Sequence, residues 1–185
     1  MKNVLIVIVV LIVIIGGFGI ASYNGLVSKK ENVDTQYANL DSMLQRRADL
    51  IPNLVSTVKG YTNHESEIID SITKAREKLL GTSNVNDKSQ ANNDLTSSLN
   101  ALMVVVENYP DLKSSSNFIQ LSDELSGSEN RIAVARRDYN EAVKIYNTSI
   151  KTFPGSIFAG MLGFEAAEYF EASETSREVP NVSFE

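Results

Sequence analysis

His64 is the only histidine in the chain of 185 residues, and it stands beside Glu65 and close to Glu67. Histidine next to carboxylates is the smallest kit for general acid–base work, so a hydrolase or transferase built on these residues is one reading. His64-Glu65 also opens the zinc-protease helix signature, whose second histidine would fall at position 68; that residue is Ile68, and the signature fails. A second group is Glu165, Glu168, Glu171 and Glu174, spaced by three, which on a helix would drift around one face. Closely spaced carboxylates suit Ca²⁺ or Mg²⁺, while the plainer reading is a solvated acidic face. The third group is basic: Arg46, Arg47 and Asp49 precede Pro52, and Arg131, Arg136 and Arg137 alternate with Glu129 and Asp138. An arginine at a core position must pair or reach water with its head, because a bare buried charge is costly. Such arginines either fix helix register through ion pairs or form an anion or partner site.

No other constellation competes. Nucleophile elbows, Walker loops and glycine-rich dinucleotide loops have no candidate, and one histidine cannot furnish a di-iron bundle. With no cysteine, disulfides, cysteine zinc sites and thiol catalysis are excluded. The formal net charge of −6 argues against nucleic acid, which demands clustered positive charge. Residues 23–80 hold eight basic and eight acidic side chains and residues 81–185 eight and fifteen, so the negative charge is distal. The expectation is a non-enzymatic protein with no cofactor or metal. A cation or small-ligand binder is the alternative, and a His64 hydrolase stands behind it.

The elements that would carry these groups begin with a run from Val4 to Ser22, 19 residues without a charge. At about 1.5 Å per residue it is roughly 28 Å long, matching the ~30 Å hydrocarbon core of a bilayer. A membrane span is the direct reading. A cleaved signal peptide competes, with Lys2 as its positive flank and Gly19 and Ala21 as small residues near a cut. The anchor is favoured because helical periodicity resumes at Tyr23 without a linker. Lys2 on one side and Lys29 and Lys30 on the other give no assignment of sidedness.

Beyond the span, apolar residues recur in a seven-residue rhythm from Tyr23 to Leu79, interrupted only at Lys30, Arg47 and Glu65. This predicts one long helix over 23–79, either kinked at Pro52 or restarted there behind Asp49. Residues 81–90 lose the pattern and read as a loop. A second stripe, Ala91, Leu95, Leu99, Leu102, Val106 and Tyr109, ends at Pro110. A third places Phe118, Leu125, Ile132, Tyr139, Tyr146 and Phe153 seven apart and stops at Pro154-Gly155. Ser156 could then cap a fourth segment through Phe170, whose glycines weaken it and mark it for mobility or membrane contact. Three long amphipathic helices must fold antiparallel to bury their stripes. The fold expected is all-α: an N-terminal transmembrane helix over 1–22, an antiparallel up-down bundle of long helices over 23–175, and a tail over 176–185.

The strings YNGLV (23–27), RRADLIPNLV (46–55), KGYTNHE (59–65), ENYPDLK (107–113), ENRIAVARRDYN (129–140), YN (146–147), FP (153–154) and the closing VPNVSF occur in order over nearly the whole chain. Together they resemble the LemA family of bacterial membrane proteins. Arg46, Arg47, Asp49, Pro52, Tyr109, Pro110, Glu129, Arg131, Arg136, Arg137, Tyr139 and Asn140 match the family's motifs. The resemblance implies one N-terminal transmembrane segment, a largely helical domain and a single-pass protein of the cell membrane. It implies no activity and no catalytic residues. A relative tied to building magnetosome membranes hints at membrane organisation. The partners expected are the bilayer through residues 4–22, other membrane or envelope proteins and a second copy of the chain, with a scaffold or partner-binding role.

Overall fold

The structure, a computed structural model, describes residues 2–62 and 65–171, apart from the side chain of Val4. His64, Glu174 and the tail over 176–185 lie outside the described residues. Among the described residues six helices follow in order: α1 Lys2–Lys59, α2 Ser66–Gly81, α3 Val85–Val106, α4 Pro110–Lys113, α5 Ser116–Lys151 and α6 Gly155–Leu162. The described residues contain no strand. The protein is all-α, and among the described residues the one helix long and apolar enough to cross a membrane is α1.

Contacts divide the described residues into two compact units, one from residues 2–38 and 138–168, the other from residues 39–137 and 169–171. α1 and α5 each contribute to both.

In the second unit the stripes meet as a core. Leu40, Leu44, Ile51, Leu54 and Val58 of α1 are buried, as are Ile69, Ile72 and Leu79 of α2 and Leu95, Leu99, Leu102 and Val106 of α3. Burying such side chains, at about 1.5–3 kcal/mol each, is the main force against chain entropy. α1 runs through Pro52 without a restart. Proline has no N–H to give the carbonyl of Ala48, and Nε of Arg76 on α2 gives one instead, at 2.8 Å.

The expected long helix over 23–79, kinked or restarted at Pro52, is corrected here, because α1 passes Pro52 and stops at Lys59. The amides of Gly60, Tyr61 and Thr62 fold back onto the carbonyls of Ser56, Thr57 and Val58, and α2 starts only at Ser66. Glu65, one of the three breaks in the rhythm, lies in this turn, and Tyr61 is exposed although its heptad position predicts burial. The expected loop over 81–90 is also shorter. Only residues 82–84 connect α2 to α3, because the Asn84 side chain accepts from the amides of Asn86 and Asp87 and starts the next helix at Val85. The short link makes α2 and α3 an antiparallel hairpin, tied by Ser71–Ser98 at 2.6 Å and Lys78–Asp94 at 3.0 Å.

In the first unit, Leu26 and Val33 of α1 and Tyr139, Ala142, Val143 and Tyr146 of α5 are buried. The rings of Tyr37 and Tyr139 lie 5.6 Å apart. The large apolar side chains from Leu5 to Ile15 are all exposed, as a lipid-facing surface must be. The fourth helix is corrected too. Pro154, not Ser156, precedes α6, which ends at Gly163 with φ of 74°, a conformation costly for residues with a Cβ. Beyond it residues 164–171 form a non-helical leg. Tyr146 Oη donates to the carbonyl of Glu165 and Tyr139 Oη to that of Glu168, each at 2.8 Å. Asn147 pairs with both backbone groups of Ala167 at 2.9 Å. These bonds supply the leg with partners that a helix would have found within itself.

Candidate functional site

The most unusual residue in the second unit is Arg47, only 3% exposed. The seven-residue rhythm carries it into the core between Leu44 and Ile51, and neighbouring helices supply its partners. Nη1 donates to Asn92 Oδ1 at 2.8 Å and Thr96 Oγ1 at 3.0 Å, both on α3. Glu129 Oε2 of α5 lies 2.7 Å from the same nitrogen, close as a charge pair but off the line of a hydrogen bond. Burial pulls the arginine below its ordinary pKa, and the Glu129 carboxylate restores part of the loss. The group stays protonated, since a guanidinium keeps its proton in proteins.

Arg47 and Glu129 also line a cavity of about 290 Å³. Its apolar wall includes Leu54, Leu99, Met103 and Leu125, and its polar wall Thr96, Asn100, Ser122, Ser126 and Asn130. Among the described residues, Nε of Arg47 and Oγ of Ser122 are buried without a hydrogen-bond partner. Buried polar groups are ordinarily satisfied, so this wall offers unspent donors and an acceptor to a small molecule.

The other motif residues are dispersed. Arg46 and Arg131 are exposed on a shallow groove of about 560 Å³ shared with Asp123 and Glu124. Asp49 accepts from Gln45 at 2.8 Å, and Pro52 is exposed on α1. Tyr109 donates to Glu65 Oε1 at 2.8 Å and accepts from Thr62 at 3.2 Å, while Pro110 starts α4. Arg136, Arg137, Tyr139 and Asn140 follow along α5. Tyr139 belongs to the first unit and holds the leg, its phenol pushed up to about 12 by burial and by nearby Tyr37, Glu168 and Asp34. Glu65 is thus engaged in a turn. Glu165, Glu168 and Glu171 sit on the non-helical leg rather than one helical face, and among the described residues no group of three or more acidic or histidine side chains could hold a metal ion.

Sequence reasoning missed Asn92, Thr96 and Ser122. Asn92 and Thr96 are four apart beside the Ala91–Leu95 stripe, a polar pair at helical spacing that is a legible sign of a buried polar partner. It missed as well Lys88, buried against α1 through Asp41.

Comparison with known sequences adds the family. The sequence model of the LemA family matches residues 36–184. "Protein LemA" of Metamycoplasma hominis is 32% identical over 83% of this chain and 71% of its own length. "Magnetosome protein MamQ 2" of Paramagnetospirillum magneticum is 29% identical, and "Magnetosome protein MamQ" of Magnetospirillum gryphiswaldense 26%. In both of these the match takes in 80% of this chain, which spans 64% of their length.

Proposed function

The chain belongs to the LemA family, and from that premise we propose that it is a single-pass protein of the cell membrane whose helical domain serves as a scaffold or partner-binding module there. The observation that carries this reading is the continuity of α1. One helix holds both the exposed apolar run and buried core positions from Leu26 to Val58, so anchor and domain share an element with no linker between them. The relatives named as magnetosome proteins support a role in an assembly rather than in solution chemistry. Its partners on this reading are other membrane or envelope proteins and a second copy of the chain. Crosslinking in intact cells followed by mass spectrometry tests it: a reproducible set of membrane partners is expected. Specific turnover of a substrate by the purified full chain would overturn it.

The Arg47 cavity favours a second reading, a binder of a small molecule with a polar head and an apolar body. The unpaired Arg47 Nε and Ser122 Oγ would meet the head and the leucine wall the body. Native mass spectrometry of the full chain released from detergent should then show a bound small molecule that Ser122→Ala weakens. A ligand-free spectrum at every gentle activation energy would end this reading.

A further inference from the structure

We propose that α6 and the turn before it form a second membrane-contacting element, seated in the bilayer beside the end of the span. The proposal rests on reading residues 4–22 as that span.

From Thr152 to Phe164 the chain carries no charge, between Lys151 and Glu165. α6 turns Ala159 inward, and its large apolar side chains Ile157, Met161 and Leu162 remain exposed, Met161 at 78%. Phe153, in the turn from α5, is exposed at 80%. A short helix with so many large apolar groups uncovered and no charge among them is unlike a water-facing surface, which keeps such patches small.

Its position names the occupant. The ring of Phe158 lies where a Cβ on Gly19 would come within 3.2 Å, so α6 packs directly on the apolar run of α1. The ring of Phe164 meets that of Tyr23 edge-on at 6.0 Å. Gly19 precedes Ser22, the end of the uncharged run, by three residues, or about 5 Å along the helix axis. Whatever touches Gly19 from the side therefore shares the depth of the outermost hydrocarbon. Phe18 and Ile20 at that level are exposed on α1 itself, continuing the same apolar surface. A lipid leaflet meets both at once, as interfacial apolar faces do when they sink about 5–10 Å into the headgroup–acyl boundary. Tyr23 and Phe164 then stand at the boundary, where aromatic rings collect. The result is an anchor with a foot, the span crossing the bilayer and α6 resting in one leaflet.

The chain has no cysteine, so single labels can be placed without background. Ile157→Cys and Met161→Cys, each carrying an environment-sensitive fluorophore, are compared with Val10→Cys in the span and Lys144→Cys on the exposed side of α5. The full chain is reconstituted in phosphatidylcholine–phosphatidylglycerol vesicles and quenched either by aqueous iodide or by lipids bearing a nitroxide high on the acyl chain. The expected result is strong nitroxide quenching at 157 and 161, with iodide quenching several-fold weaker than at 144. Iodide quenching at 157 and 161 equal to that at 144, with position 10 still shielded, overturns the proposal and leaves the span intact. Shielding of 157 and 161 from both quenchers means a protein covers the face and overturns it too. Free access of iodide to position 10 removes the span, and this proposal with it.

Discussion

The carbonyl of Ala48, which Pro52 leaves without its helical donor, accepts a hydrogen bond from Nε of Arg76 across the α1–α2 interface. A proline in the middle of a helix normally costs about 3 kcal/mol, part of it for the missing bond. Here the neighbouring helix replaces that bond with a charged donor.

Arg76→Met should therefore destabilise the full chain by about 1.5–3 kcal/mol, the range for a hydrogen bond to a charged group. Pro52→Ala restores a backbone N–H to Ala48, so much of the loss should vanish in the double variant, a coupling of about 1 kcal/mol or more. Urea unfolding in detergent micelles measures all three. Strict additivity would mean that the two residues act independently.

A second prediction concerns Arg47. Breaking a buried pair by removing one partner costs about 3–5 kcal/mol. Arg47→Ala should fall near the lower end, with a cavity left behind and Asn92 Oδ1 deprived of its donor. Glu129 is half-exposed, so Glu129→Ala should cost less, about 1–2 kcal/mol after allowing for solvent around its carboxylate. Arg47→Met, which keeps the stem and drops the charge, should be milder than Arg47→Ala. Melting temperatures of the three variants give the order.

The leg over 164–171 depends on side chains of α5. Asn147→Leu removes two bonds to Ala167 and should cost about 2 kcal/mol, and Tyr146→Phe, removing one bond to Glu165, about 1 kcal/mol. Amide hydrogen exchange should accelerate at Ala167 while the centres of α1 and α3 keep their protection. Unchanged exchange at Ala167 in Asn147→Leu would show that something else holds the leg.

Alkaline pH should loosen the first unit. Tyr139 is held up to about 12 by burial first and then by Tyr37, Glu168 and Asp34, and Tyr146 is raised by burial, with Asp34 and Glu165 adding and Lys30 opposing. An unfolded tyrosine ionises near 10. With the folded value above the unfolded one, the stabilisation is whole below about pH 10 and is lost as pH rises toward 12. Melting temperature should be flat with respect to these groups up to about pH 10 and fall beyond it, and Tyr139→Phe should flatten part of the fall. Phenolate absorbance followed in the same titration identifies the groups.

The long stripes could be read from residue spacing because they are local: a side chain's burial follows from its place on a 3.6-residue helix, whichever partner covers it. Leu40, Leu44, Ile51, Leu54, Leu95 and Leu102 are buried on that ground alone. The break near residue 60 was not readable in this way. The apolar rhythm keeps phase from Val58 to Ile72, and only Glu65 betrays the turn. Phe153 sits in register with Tyr146 yet is exposed, because α5 ends two residues before it and burial ends with the helix.

By itself, the amino-acid order determined the helical class, the apolar run long enough for a bilayer and the intrusion of Arg47 into a core stripe, since composition and periodicity are properties of one segment at a time. Tertiary structure decided what meets Arg47, what replaces the bond Pro52 removes, and that residues 165–168 leave the helix to be held by Tyr139, Tyr146 and Asn147. Those outcomes depend on register between helices far apart in the chain. A hydrogen bond requires its two atoms within about 3 Å, a condition that no single helix's periodicity encodes.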